Sequence, residues 1–198
     1  MKTKQTQSKP VVVGASDHGG WAILVTAASD GTFLDRRRVE LVDEGLPTMP
    51  HHHEGQKLPI EQAVALVERV RGSADRNAKA RLAALAAELD VEIAGIALRE
   101  CPPLPETLAE RITNYRAMCV ADWVMYRQSL AKAASERGWF VHWYDAKRVS
   151  TEAASALERE TLAGLLAEVK ARVGSPWQKD HAIAMAAAIA AANASAES

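Results

Sequence analysis

The chain has 198 residues, of which 48% are hydrophobic and 25% charged, and this length and balance predict one globular domain with a sizeable core. The formal net charge of −1 excludes a strong overall field toward nucleic acid or a membrane, so a nucleic-acid interface would need a local basic face. Two cysteines, Cys101 and Cys119, are too few for a disulfide framework and match no metal-binding spacing. Met1–Pro10 lacks the apolar run of a signal peptide, and Ala182–Ala192 is too short to span a bilayer. We therefore expect a cytoplasmic protein with no membrane partner.

The first forty residues carry the signals of an antiparallel meander. Apolar and β-branched runs predict its strands, and Ser29-Asp30-Gly31 predicts a tight hairpin because Asp-Gly favours positive φ. Three consecutive arginines, Arg36–Arg38, predict that the third strand is an edge strand or contains a bulge. Two later apolar runs add further strands. The predicted strands are Val11–Ala15, Trp21–Ala27, Phe33–Val42, Val91–Leu98 and Trp139–Tyr144.

Apolar residues at helical spacing predict the remaining regular structure. A loop is predicted from Asp43 to Leu58, and Gly72-Ser73 predicts a break between two helices. The predicted helical regions are Pro59–Arg71, Ser73–Leu89, Glu106–Glu136, Thr151–Val173 and Trp177–Ala192. Residues 1–9 are predicted to be disordered and residues 193–198 to fray, which leaves 10–192 as a single domain.

The order of these elements, three strands, helix, strand, helix, strand and closing helices, resembles the ribonuclease H-like superfamily. Three motifs resemble RuvC-type resolvases: Asp17-His18-Gly19 after the first strand, Glu100 at the end of the fourth, and Asp180-His181-Ala182 at the start of the last helix. The resemblance implies an α/β fold with a mixed five-stranded sheet, its first three strands antiparallel, flanked by helices. It also implies a metal-dependent nuclease or a nucleic-acid-binding protein, with DNA or RNA as partner.

Phosphodiester hydrolysis by two metal ions needs several carboxylates converging on Mg²⁺ or Mn²⁺, which prefer oxygen ligands. The predicted ligands and catalytic residues are Asp17, Glu100 and Asp180, with Asp145 or His181 as a supporting ligand or base. Replacing Asp17 or Glu100 by its amide is expected to abolish cleavage and leave the fold intact. Alternatively, each acid is an ordinary turn, strand-end or helix-terminal charge.

A second alignment with the resolvases is open at the first strand. If Gly14 is aligned with the glycine that commonly precedes their first aspartate, Ser16 takes the catalytic position and Asp17 falls one residue late. A shift of one residue turns a strand side chain to the other face of the sheet. The alternative function is therefore a non-catalytic interaction protein that kept the fold and lost the site, with Glu106–Glu136 as a homodimer face.

Two further patterns have structural and functional interpretations. His51-His52-His53-Glu54 contains ligands that suit Zn²⁺, but adjacent residues do not easily face one ion, which favours a polar loop. Whether this loop borders the active cleft is left open by the sequence. Arg36–Arg38 form either part of a phosphate-facing strip or a solvated face.

Overall fold

Five strands form one mixed sheet within residues 9–195, the part of the chain that the computed structural model describes. The strands are β1 (Val11–Asp17), β2 (Trp21–Ala28), β3 (Phe33–Glu40), β4 (Ile93–Arg99) and β5 (Phe140–Tyr144). Their order is β3-β2-β1-β4-β5; β1 is antiparallel to β2, β2 is antiparallel to β3, and β4 is parallel to both β1 and β5. The predicted fold class is confirmed, including the central first strand beside the fourth. The predicted disordered segment 1–9 lies outside the described residues except for Lys9.

The arginine-bearing strand β3 is the edge strand, as the sequence predicted. Its register with β2 shifts between Thr26 and Ala27, so the edge also contains an irregularity. Gly31 has a φ of +85° in the preceding hairpin, which is the conformation expected for the Asp-Gly turn.

The helices differ from prediction mainly at their boundaries. Among the described residues they are α1 (Ile60–Glu88), α2 (Leu108–Thr113), α3 (Tyr115–Ser135), α4 (Val149–Ala156), α5 (Ala163–Val173) and α6 (Lys179–Ala194). The predicted loop before α1 contains a π-helical turn, Pro50–Glu54, and a 3₁₀ turn, Gly55–Lys57. The end of α6 passes the predicted boundary at residue 193, because the Asn193 amide donates to the carbonyl oxygens of Ser29 and Ile189.

The predicted break at Gly72-Ser73 is wrong, since α1 continues through it. A glycine inside a helix costs about 1 kcal/mol relative to alanine, a cost that tertiary contacts can offset. Ser73 is buried, and its hydroxyl accepts a hydrogen bond from the backbone N–H of Asp43 at 2.8 Å. The predicted helix 106–136 is instead interrupted at Asn114, whose side chain accepts from the N–H of Ala117 and caps α3. The predicted region 151–173 divides into α4 and α5.

Side chains of β1 alternate between two hydrophobic cores, one on each face of the sheet. Val13 and Ala15 pack with α1 and α3, whereas Val12 packs with α4 and α6. Gly14 allows α6 to lie close against the sheet, because a Cβ there would come within 1.8 Å of the carbonyl oxygen of Ala184. The alanine-rich run of α6 is therefore a buried helix face. No helix in residues 9–195 is both long and apolar enough to cross a membrane.

Candidate functional site at the carboxyl ends of the strands

The carboxyl ends of β1, β4 and β5 meet at one edge of the sheet, because β4 is parallel to both of its neighbours. A cleft of about 650 Å³ opens at this edge beside α3. In open α/β sheets, ligands bind outside the carboxyl ends of the strands. We call this the strand-end cleft; its lining includes Asp17, Glu100, Cys101, Trp123, Arg127 and Asp145.

Asp17 forms a buried ion pair at the floor of the cleft. It lies on the same face of β1 as Val13 and Ala15, toward α3. The Nε of Arg127 donates to Asp17 Oδ1 at 2.8 Å, and the side chains of Arg127 and Asp17 are 8% and 3% exposed. Arg127 Nη1 also donates to the carbonyl oxygen of Glu100 at 3.1 Å. The second oxygen, Asp17 Oδ2, is buried and accepts no hydrogen bond within the described part of the chain.

The neighbouring residue, Ser16, lies on the opposite face of β1, toward α6. Its hydroxyl donates to Asp180 Oδ1 at 3.1 Å. The Nε2 of His18 lies 3.3 Å from Asp180 Oδ2, and the His18 ring stacks on Trp21 with a centroid distance of 3.9 Å. Asp180 is therefore contacted by Ser16 and His18, and Asp17 points to the other side of the strand. The structure has the register in which Ser16 occupies the position facing the last helix.

The predicted centre of three carboxylates is not assembled, since Asp17 and Asp180 lie on opposite faces of β1 and Asp17 is already paired with a cation. Residues 9–195 contain no group of three or more His, Cys, Asp or Glu side chains arranged to hold a metal ion. The residues present do not fit the two-ion centre that the resolvase resemblance implies.

The other predicted acids occupy ordinary local positions. Glu100 is exposed and directly follows β4, where its backbone N–H donates to the carbonyl oxygen of Tyr144. Asp145 Oδ1 accepts from the backbone N–H of Lys147 at 2.8 Å, which closes a turn after β5.

Arg99, two residues after the buried Ala97, lies on the α6 face of β4. A basic residue therefore shares that face with Ser16.

His181 caps the helix that carries Asp180. Its Nδ1 accepts a hydrogen bond from the backbone N–H of Gln178 at 3.1 Å, and its ring lies 5.4 Å from that of Trp177. Burial lowers the pKa of His181, and the nearby Arg36 cation acts in the same direction. A protonated Nδ1 cannot accept the capping hydrogen bond, so the neutral form is the one that fits this helix terminus.

We expect His181 to weaken folding under acidic conditions. Its folded-state pKa lies below the unfolded value of about 6.5, so its contribution is complete above that pH and is lost as pH falls toward the folded pKa. The glutamine of His181→Gln can accept the same hydrogen bond without titrating. Between about pH 7 and pH 5 the free energy of unfolding should decrease less in the variant than in the parent. The difference should not exceed about 1 kcal/mol, which is the contribution of a helix cap. Urea unfolding at several pH values measures this difference.

The exposed His53 supplies the control for this prediction. His53→Gln makes the same substitution at an exposed side chain that caps no helix. Identical pH dependence in His181→Gln and the parent would contradict the assigned role of His181.

The predicted histidine loop is anchored away from the strand-end cleft. His51 Nδ1 lies 2.7 Å from Asp122 Oδ1, and both side chains are almost fully buried. The Asp122 carboxylate also accepts from the backbone N–H groups of His51 and His52. None of the three histidines lines the cleft. Asp122 thus attaches the π-helical turn to α3.

The arginines of β3 are engaged within the protein. Arg36 donates to backbone carbonyl oxygens of the segment after α5, including Gly174 at 3.0 Å. Arg37 pairs with Asp35 and Glu88. Arg38 pairs with Glu40, and its guanidinium carbon lies 3.8 Å from the Trp21 ring centroid. These arginines form a stabilised sheet edge: Arg37 and Arg38 are paired with carboxylates, and the donors of Arg36 are occupied by backbone carbonyl oxygens.

Exposed cations without a carboxylate partner are found instead at the carboxyl edge. Arg99 ends β4, Lys147 follows β5, and Lys179 begins α6 beside Asp180. Within residues 9–195, none of these three side chains forms an ion pair. They stand at this edge beside the acids Glu100, Asp145 and Asp180, in a chain of near-zero net charge.

Arg127 and Ser16 are the important residues that the sequence-based site prediction did not include. Arg127 lies four residues after Trp123 in α3, so it shares the helix face that points to the cleft. The sequence pattern that could have identified Arg127 is a basic residue at helical spacing from the apolar residues of α3. For Ser16, the signal was the glycine alignment described above.

Comparison with known proteins identifies the fold. No protein-family model matches the chain, and no curated protein matches its sequence. The structure titled "T. thermophilus RuvC in complex with Holliday junction substrate" matches with a TM-score of 0.54 and 15% identity, over 95% of this chain and 96% of that chain. "Thermus thermophilus RuvC structure" matches with a TM-score of 0.52 and 16% identity, over 94% and 96%. The chain thus has the ribonuclease H-like fold and a RuvC-like pattern of elements, as the sequence predicted.

Proposed function

We propose that this chain, which has the ribonuclease H-like fold of the RuvC structures, binds nucleic acid and does not cleave it by a two-metal mechanism. The observation that carries the proposal is the register of β1. Ser16 donates to Asp180 on one face, while Asp17 is held by Arg127 on the other. A serine and a neutralised aspartate cannot supply the converging negative charge that two divalent cations need.

Binding is supported by the fold and by the charges at the carboxyl edge of the sheet. One of the similar solved structures is a complex with a Holliday junction substrate, and the match covers nearly all of both chains. Arg99, Lys147 and Lys179 are exposed at the edge where ligands of open sheets bind. Three phosphate contacts would give a slope of log K against log salt of about −3 on duplex DNA, a modest electrostatic contribution.

The test measures binding and cleavage on the same substrates: a four-way junction, a duplex, a single strand and an RNA–DNA hybrid. Fluorescence anisotropy at several salt concentrations should show binding with a slope of about −3. The variant Arg99→Ala/Lys147→Ala/Lys179→Ala should bind more weakly, with a slope near zero. The matched control, Arg69→Ala/Arg71→Ala/Arg81→Ala, removes three exposed arginines of α1 and should bind as the parent does. Denaturing gels should show no cleavage in Mg²⁺ or Mn²⁺.

Two outcomes would contradict the proposal. Metal-dependent cleavage that is lost in Asp180→Asn would restore the nuclease hypothesis. Absence of binding to every substrate would favour the protein-interaction alternative, for which homodimerisation through α3 remains the prediction. Exposed Tyr115 at the start of α3 is the residue to test in that case.

A further inference from the structure

Asp17, which lines the strand-end cleft, carries an unsatisfied hydrogen-bond acceptor. Asp17 Oδ2 belongs to a side chain that is 3% exposed, and it has no donor among residues 9–195. Arg127 fixes the carboxylate through the other oxygen, so Oδ2 is held in place rather than free to rotate toward solvent. A buried acceptor without a donor destabilises the protein, and a ligand that brings an N–H group to it would relieve that cost.

The walls of the cleft are suited to a flat ring. Trp123 of α3 is partly exposed there, and Pro102 and Pro103, which follow the end of β4, also line the cleft. Proline offers an apolar surface without a backbone N–H. Every base has a π-face that can stack on an aromatic side chain. The cleft volume of about 650 Å³ is within the range of small-molecule sites.

Two cations lie at the rim of the cleft, beside the carboxylates of Glu100 and Asp145. Arg99 lines it directly, and Lys147 follows the lining residues Asp145 and Ala146. A ligand with an N–H-bearing flat ring at one end and a phosphate at the other would therefore find an acceptor, an aromatic wall and a cation among the lining residues. A nucleotide has this arrangement.

We infer that the strand-end cleft binds a single nucleotide, with its base against Trp123, a base N–H directed to Asp17 Oδ2 and its phosphate at Arg99. This inference rests on the proposed function and specifies what that function recognises. A base paired within a duplex has its N–H groups engaged and its faces stacked, so it cannot enter the cleft. The nucleotide is either an unpaired unit of a nucleic acid strand or a free nucleotide.

Cys101 provides a positional probe, because it lines the same cleft. Burial raises the pKa of its thiol, with Arg127 acting in the opposite direction, so the reaction with a maleimide is best followed at mildly alkaline pH. Cys119 does not line the cleft, and Cys119→Ser leaves Cys101 as the single thiol. The labelling rate is measured for the free protein, with a duplex carrying one unpaired base, with the same duplex fully paired, and with a millimolar nucleoside monophosphate.

We expect the duplex with the unpaired base to slow labelling of Cys101 about tenfold at saturation, as a stacked base shields the thiol. The fully paired duplex, bound to the same extent, should leave the rate unchanged. Trp123→Leu should weaken binding of the unpaired-base duplex about tenfold and remove its advantage over the paired duplex. Trp143→Leu is the matched control, because Trp143 is 40% exposed on β5 and does not line the cleft.

The outcomes separate this inference from the proposed function. Equal labelling rates with the two duplexes, both shown by anisotropy to be bound, would overturn the inference and leave the proposed function standing. Protection by the nucleoside monophosphate without binding of any nucleic acid would support the cleft assignment with a free nucleotide and overturn the proposed function. Absence of binding by every ligand would overturn both.

Discussion

Asp17→Asn is expected to lower the free energy of unfolding by about 3–5 kcal/mol, because removing one partner of a buried ion pair leaves the other charge uncompensated. Arg127 is only 8% exposed and would keep its positive charge in the variant. An asparagine at position 17 offers Arg127 a neutral carbonyl oxygen in place of a carboxylate. Urea unfolding of parent and variant, analysed by linear extrapolation, measures the loss.

The control for this substitution lies in the same cleft. Asp145→Asn also converts an aspartate to its amide, but asparagine can accept the same turn hydrogen bond from Lys147, so the change should stay within about 0.5 kcal/mol. Replacing both members of the pair, Asp17→Leu/Arg127→Met, should recover most of the stability that Asp17→Asn loses, because no isolated charge then remains buried. Equal stabilities for Asp17→Asn and Asp145→Asn would contradict the ion-pair assignment.

This expectation corrects a prediction from the sequence, namely that an amide at position 17 leaves the fold intact. That prediction treated Asp17 as a polar strand end outside the core. The residue that makes Asp17 structural is Arg127, which is 110 positions away in the chain. No local pattern around Asp17 encodes such a contact, since the contact depends on how α3 packs against the sheet.

The sheet was the most predictable part of the fold, for reasons that can be traced to particular residues. The Asp30-Gly31 turn and the apolar runs on either side define the β1–β3 meander, and the arginines of β3 mark its outer edge. Helix boundaries were less predictable, because tertiary contacts override local signals there. Ser73 is the example: its hydroxyl has a partner in Asp43, and the helix continues where the dipeptide Gly72-Ser73 predicts an end.

Three of the predicted site residues, Asp17, Glu100 and Asp145, line the strand-end cleft, whereas Asp180 and His181 do not. The carboxyl ends of β1 and β4 and the start of α6 do meet, so residues at those places are neighbours. A shift of one residue in the register moves every side chain of β1 to the other face of the sheet. The sequence allowed two alignments of the stretch from Gly14 to Asp17, with either Asp17 or Ser16 facing the last helix. In the structure Gly14 and Ser16 both face α6, which is the second alignment.

Ser16→Asp should convert the contact with Asp180 into a pair of adjacent carboxylates and lower the thermal stability in the presence of a chelator. Ser16 Oγ lies 3.1 Å from Asp180 Oδ1. Two like charges about 4 Å apart repel by about 1 kcal/mol in bulk water and by about 4 kcal/mol near a protein surface. Repulsion raises the carboxylate pKa in the folded state, so the destabilisation should diminish as pH falls and one of the two groups takes up a proton.

The same pair of carboxylates should respond to Mn²⁺ or Mg²⁺, because an ion that binds only the folded protein stabilises it by mass action. The melting temperature of Ser16→Asp should therefore rise on addition of either ion. Ser16→Asn is the matched control, with nearly the same shape and no charge, and its melting temperature should be the same with and without the ions. Adding Arg99→Glu to Ser16→Asp puts a third acid on the α6 face of the sheet and should increase the shift caused by the ions. Equal melting temperatures of Ser16→Asp and Ser16→Asn, with and without the ions, would show that position 16 does not face Asp180 closely enough for the two carboxylates to interact, and would remove the observation on which the proposed function depends.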